Sequence, residues 1–122
     1  MSNSSNSDQE AVKAVIEAYV AACAAADTVA LQAVFHPDAN MSGYLAGQCL
    51  TGTPAPFIDA VSQNPAPGEE YHSQISDVRV SGSIATATLR EQGYMGMSFT
   101  NYFQLLNSGG GWLIVAKLFE SS

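Results

Sequence analysis

From Tyr71 to the end of the chain the hydrophobic period is two, and this constrains the fold more than any other feature. Four β segments follow one another, at about 71–80, 83–94, 97–107 and 111–119. The links are Ser81-Gly82, a Gly93 to Gly96 region, and Ser108-Gly109-Gly110-Gly111. Links this short make successive strands antiparallel neighbours, so the C-terminal half is expected to be a four-strand meander.

The N-terminal half has a helical period. Val12, Val15, Ile16, Tyr19, Val20 and Cys23 form one apolar stripe, with Lys13, Glu17 and alanines opposite. Ser7 and Glu10 have capping-box spacing, in which hydroxyl and carboxylate each satisfy a free backbone N–H. This places a helix over 8–25, behind a disordered segment 1–7. Asp27 can cap a second, short helix. Pro37 disfavours the helical conformation at His36, so Phe35-His36-Pro37-Asp38-Ala39 reads as a turn into a strand. Residues 40–52 read as a hairpin around Gly47. Thr53-Pro54 then opens a third helix, with Phe57, Ile58 and Val61 on its buried side. Asn64-Pro65-Ala66-Pro67-Gly68 ends it in a stiff loop. Helices early and strands late give a single α+β domain over 8–120, with the helices on one sheet face.

Charged residues make up only 12% of the 122 residues, about half the usual ~25%. A surface so short of charge is expected to be partly covered, which favours a homodimer. The net charge is −7, and the four basic residues, Lys13, Arg79, Arg90 and Lys117, are scattered. No basic stripe exists to neutralise phosphates, so neither nucleic acid nor an anionic membrane surface is an expected partner. The N-terminus lacks a basic and then apolar leader pattern, and no apolar run approaches the ~20 residues of a membrane helix. A cytoplasmic location is the expectation. Cys23 and Cys49 form no Cys-x-x-Cys pair and are expected as two buried free thiols, a single disulfide being the alternative. No cofactor is indicated. His36 and Asp38 supply too few ligands for a metal site.

The element order resembles the nuclear transport factor 2-like superfamily, and local motifs sharpen the match. Ser81-Gly82-Ser83-Ile84-Ala85-Thr86-Ala87 resembles the turn and alternating strand of that group, and Phe99-Thr100-Asn101-Tyr102-Phe103-Gln104-Leu105-Leu106 its next strand. Gly111-Trp112-Leu113-Ile114-Val115-Ala116-Lys117-Leu118-Phe119 is similar to the closing Gly-x-Trp-x-Ile strand, with the Lys-x-Phe ending of the SnoaL-like, lumazine-binding-like branch. The resemblance implies a cone-shaped fold: three N-terminal helices packed on a strongly curved antiparallel sheet, with a pocket between them and dimerisation through the sheet. It implies no single chemistry, because members include isomerases, dehydratases, cyclases and binders. Relatives in this branch often carry Asp where this chain has Asn101. An amide cannot act as general acid or base, although it can donate to and accept from a ligand.

Strand alternation selects candidate site residues. Phe99, Asn101, Phe103 and Leu105 share a face, which is expected to meet the helices. Asn101 among hydrophobes is either a ligand contact or a satisfied structural amide. Ala85, Ala87, Leu89 and Glu91 share the next face. Glu91 is either a proton carrier against apolar walls or a strand-end carboxylate paired with Lys117 or Arg90. His72 and His36 are candidate proton carriers at element ends. Tyr19, Tyr44, Tyr94, Phe57 and Trp112 are candidate pocket walls, or plain core. Met95 and Met97 form either an adaptable lip or a loop.

Three functions follow. The first is a small-molecule-binding domain with an apolar pocket, its ligand an aromatic heterocycle, contacted by Tyr19, Tyr44, Phe57, His72, Phe99, Asn101, Phe103 and Trp112. The second is an acid–base enzyme of the isomerase, dehydratase or polyketide-cyclase type, with His72, Glu91 and Tyr44 as proton carriers. The third is a dimerisation scaffold with a filled core.

Overall fold

A computed structural model describes residues 2–64 and 70–122. The elements are α1 (Ser2–Ala25), α2 (Thr28–Ala33), β1 (Phe35–Leu45), β2 (Gln48–Gly52), α3 (Ala55–Gln63), β3 (His72–Ser81), β4 (Ile84–Tyr94), β5 (Met97–Asn107) and β6 (Trp112–Ser121). The six strands form one curved, unclosed sheet in the order β2-β1-β6-β5-β4-β3, with the helices packed against it. The meander β3–β6 is antiparallel throughout, and the β1–β2 hairpin joins it at β6. That β1–β6 pairing is parallel, the one exception to the expected antiparallel sheet. The long connection through α3 and the meander allows it, since parallel neighbours need a crossover. Gly43 permits the close approach: a Cβ there would lie 2.0 Å from the Phe119 carbonyl oxygen.

The helical stripe of α1 is buried as its spacing requires, with Val12, Ile16, Tyr19 and Cys23 all at most 1% exposed. The helix begins at Ser2, however, so Ser7 lies inside it and does not cap it, and the start expected near residue 8 is displaced. Extending an anchored helix over Ser and Asn costs only a few tenths of a kcal/mol per residue, far less than nucleating one. Asp27 does cap α2, its Oδ1 accepting the Ala30 N–H at 3.1 Å. The segment read as a turn, Phe35–Ala39, is instead the irregular start of β1. Its register against β6 slips between Phe35 and Asn40, and Pro37 sits in that slip, where its missing N–H breaks no ladder. The loop expected at residues 65–68 lies outside the described residues. Both cysteines are free; Cys23 is buried, but Cys49 is exposed, because it points outward from the hairpin.

Two bulges position the site. In β6, Ile114 pairs with Leu105 but Ala116 pairs with Gln104, so Val115 is an extra residue. Trp112 and Ile114 face inward before it, and Lys117 and Phe119 after it. In β4 the register slips between Glu91 and Tyr94, and both residues end up buried. Gly93, at φ +71°, occupies that slip, and a Cβ there would lie 2.0 Å from the Glu70 carbonyl oxygen. Bulges of this kind re-aim side chains at the rims of sheets.

Candidate functional site

Between the concave sheet face, α1, α3 and the β1–β2 hairpin lies a cavity of about 270 Å³. Most of its wall is apolar: Phe57 from α3, Phe99 from β5, Phe119 from β6, and Met41 and Leu50 from the hairpin. Tyr19 from α1, Glu91 and Tyr94 from β4 and Lys117 from β6 bring polar groups into this wall, with Thr51 and Thr53 at the hairpin end.

Glu91 is 3% exposed. Its Oε2 accepts from the Tyr71 hydroxyl at 2.6 Å, and its Oε1 from Asn101 Nδ2 at 2.8 Å. The same Nδ2 donates to the Leu89 carbonyl at 3.1 Å. A flipped Asn101 amide would set its oxygen against two acceptors, so this orientation is fixed. The partners of Glu91 are thus Tyr71 and Asn101, not Lys117 or Arg90. Burial, and then the charge of Glu91, raise the Tyr71 phenol well above its usual range, which keeps it a donor. Among the described residues, Asn101 Oδ1 and the Tyr94 hydroxyl are buried without a partner.

Lys117 is 4% exposed. Its Nζ donates to the Tyr19 hydroxyl at 2.5 Å and lies 3.9 Å from the centre of the Phe57 ring. Tyr19 stacks on Phe57 at 6.0 Å and meets Phe103 edge-on at 5.1 Å, so rings on two sides fix its hydroxyl. Burial lowers the Lys117 ammonium to about 8, against the opposing fields of Glu91 and Cys23. Burial likewise raises Tyr19 well above its ordinary value, and Cys23 to about 12.

The structure brings Tyr19, Phe57, Phe99 and Glu91 together on the cavity wall. Asn101 lies behind it, fully buried, as the support of Glu91. Phe103 is core beneath Tyr19. Trp112 is also core, roughly 16 Å along β6 from Lys117 at ~3.3 Å per residue. Two further candidates face solvent. His72 is exposed and points away, because strand alternation turns its neighbour Tyr71 inward instead. Tyr44 is 47% exposed on the outer sheet face, since Met41, Gly43 and Leu45 take the inward phase of β1. His36 accepts the Asp38 N–H at 3.0 Å within its own turn. Tyr71 and Lys117 were not selected from sequence. Counting back in twos from Ile75 reaches Tyr71. Lys117 was hidden by the β6 bulge, whose signal is that Phe119 is out of phase with Ile114. Glu91 places a carboxylate one strand over from Asn101.

Residues 7–120 match the family described as "Putative lumazine-binding". A nuclear transport factor 2-like protein of unknown function from Silicibacter pomeroyi DSS-3 is 28% identical, with a TM-score of 0.84 over 93% of this chain and 94% of that one. A second, from Methylobacillus flagellatus KT, is 24% identical with a TM-score of 0.88, over 95% of this chain and 93% of that one. Among curated proteins, Aldolase FrzH of Cladobotryum sp is 26% identical over 117 residues, 95% of this chain and 93% of the relative.

Proposed function

Because this chain belongs to the lumazine-binding-like family of nuclear transport factor 2-like proteins, we propose that its cavity binds a small, neutral, largely apolar carbonyl compound and moves a proton at the carbon beside the carbonyl. One observation carries this reading: a carboxylate only 3% exposed, Glu91, stands in an apolar cavity wall with each oxygen held by a hydrogen bond. Burying a carboxylate costs several kcal/mol unless it is hydrogen-bonded, and a core needs no such group. Glu91 takes the proton. Tyr71 and Asn101 fix the angle of its carboxylate. The negative charge that develops on the carbonyl oxygen is stabilised by the Tyr19–Lys117 pair on the same wall. At about 270 Å³ the cavity falls just below the ~300–1,000 Å³ of drug-sized sites, which favours a small substrate.

An aldol reaction begins with this proton transfer, so the name of the curated relative, an aldolase, is compatible with the reading. The test is hydrogen–deuterium exchange at the carbon beside the carbonyl, followed by NMR in heavy water over a panel of aryl and alkyl ketones. Exchange should exceed the buffer rate and fall by about 10²–10⁴-fold in Glu91→Gln. Ligand-induced melting shifts without exchange would leave a binding domain and remove the enzyme. The homodimer belongs to the same proposal. Tyr102 and Leu118, 52% and 56% exposed, pair across β5 and β6 on the outer sheet face beside Tyr44. Sedimentation should give a dimer that Tyr102→Glu with Leu118→Glu dissociates.

A further inference from the structure

We propose that Lys117 is a nucleophile, whose amine condenses with the carbonyl group of an aldehyde or ketone bound in the cavity to form an imine. This rests on the carbonyl reading above and deepens it from acid–base to covalent catalysis.

Packing alone does not call for a lysine at position 117. On β6 it lies between Phe103 of β5 and Met41 of β1, positions that an apolar side chain would pack at no electrostatic cost. Buried lysines are normally paired with a carboxylate. The buried carboxylate nearby, Glu91, is engaged by Tyr71 and Asn101 instead. What faces the Lys117 amine is one neutral hydroxyl, from Tyr19, and the rings of Phe57, Tyr19 and Phe119 at 3.9, 5.1 and 5.4 Å, whose cation–π attraction offsets only part of the lost hydration. The other titratable groups around it are Cys23 of α1 and Glu91 of β4. An ammonium without an ion partner in an apolar wall loses its proton readily, and a neutral amine is the nucleophilic form. Lys117 also lines the cavity, so a bound carbonyl carbon can reach it.

The step balances without an external oxidant or reductant. The nitrogen lone pair attacks the carbonyl carbon, and the C–O π electrons move to oxygen. That oxygen takes a proton from the Tyr19 hydroxyl, which is restored by a proton from nitrogen, giving a carbinolamine. A further proton, taken up from solvent and balanced by the one Glu91 later returns to it, lets the hydroxyl leave as water, and the nitrogen lone pair closes the C=N bond as an iminium. Glu91 then removes the proton on the adjacent carbon, and the electron pair flows to nitrogen to give an enamine. The iminium is a stronger electron sink than the parent ketone.

The chain holds two lysines, and Lys13 is exposed on α1, so it serves as an internal comparison. Intact protein is incubated with the β-diketone benzoylacetone, which traps a reactive amine as a conjugated enaminone with a near-ultraviolet band. The adduct is located by peptide mass spectrometry, and binding is followed separately by melting shift. The expected result is one adduct, at Lys117, forming about 10–100-fold faster than at Lys13 or the terminal amine. Lys117→Met should lose the adduct, and Glu91→Gln should keep it. If Lys117→Met does not fold, the comparison of the three amines in the unaltered chain decides alone. A melting shift without an adduct at Lys117 overturns the imine and leaves the carbonyl reading standing. Equal labelling of Lys13 and Lys117 also overturns the imine. Neither binding nor adduct overturns both.

Discussion

The two ends of the sheet use the same strands for opposite ends. Toward the starts of β4 and β6, Ala85, Ala87, Leu105, Trp112 and Ile114 pack with Leu31, Val34 and Phe35 into a core without buried side-chain charge. Toward the other ends, with Lys117 beyond the β6 bulge and Glu91 at the edge of the β4 bulge, Glu91, Asn101 and Lys117 are as buried as that core, and a cavity opens beside them. The closed end obeys the alternation of apolar residues. The open end breaks it and places three polar side chains where apolar ones would be more stable. Stability alone does not produce that contrast, and local violations of this kind mark functional sites.

The sharpest test makes the same substitution at both ends. Leu105→Ala empties a site that is 2% exposed and should cost about 2–5 kcal/mol in denaturant unfolding. Leu50→Ala, on the cavity rim at 38% exposed, should stay within about 1 kcal/mol. Similar losses at both would mean the open end is ordinary core.

The next effect is a pH dependence specific to the open end. The Lys117 amine is lowered from 10.5 to about 8, so between these values the unfolded chain holds a proton that the folded chain has released. Lys117 by itself therefore makes stability rise with pH across that window, by roughly 2 kcal/mol between pH 8 and 10. Cys23, raised from 9.0 to about 12, and the buried tyrosines work in the opposite direction from about pH 9 upward, because the fold holds them protonated, so the Lys117 contribution is read as the difference between the unaltered chain and Lys117→Met. Lys117→Met should remove that contribution and, at neutral pH, be more stable than the unaltered chain by about 1–4 kcal/mol if it behaves like other apolar replacements of buried charge. A parallel pH profile in the two chains would show that the amine is not desolvated.

The smallest effect concerns the thiols. Cys49 should react quickly with a maleimide and leave the melting temperature unchanged. Cys23, raised to about 12 by burial, should react only on unfolding. Fast labelling of Cys23 in the folded chain would show that α1 opens next to the site.

Much of the site was legible along single strands. Phe99 and Glu91 follow from alternation, and Tyr19 and Phe57 from the helical stripes. Tyr71 was also reachable, since the inward phase runs back from Ile75. Tyr44 and His72 have suitable chemistry but the wrong phase on their own strands, and the structure turns both outward.

What the sequence determines by itself is local: the helical stripe of α1, the Asp27 cap, the four strands of the meander and the turns between them, because periodicity and turn chemistry act within a few residues. What only tertiary structure decides is pairing and register. The parallel seam of β1 on β6 joins residues far apart in the chain. The slip at Val115, which turns Lys117 inward, exists only relative to β5 and β1. One extra residue in a strand inverts every side chain after it, and nothing within the strand fixes where that residue will fall until its neighbours are in place.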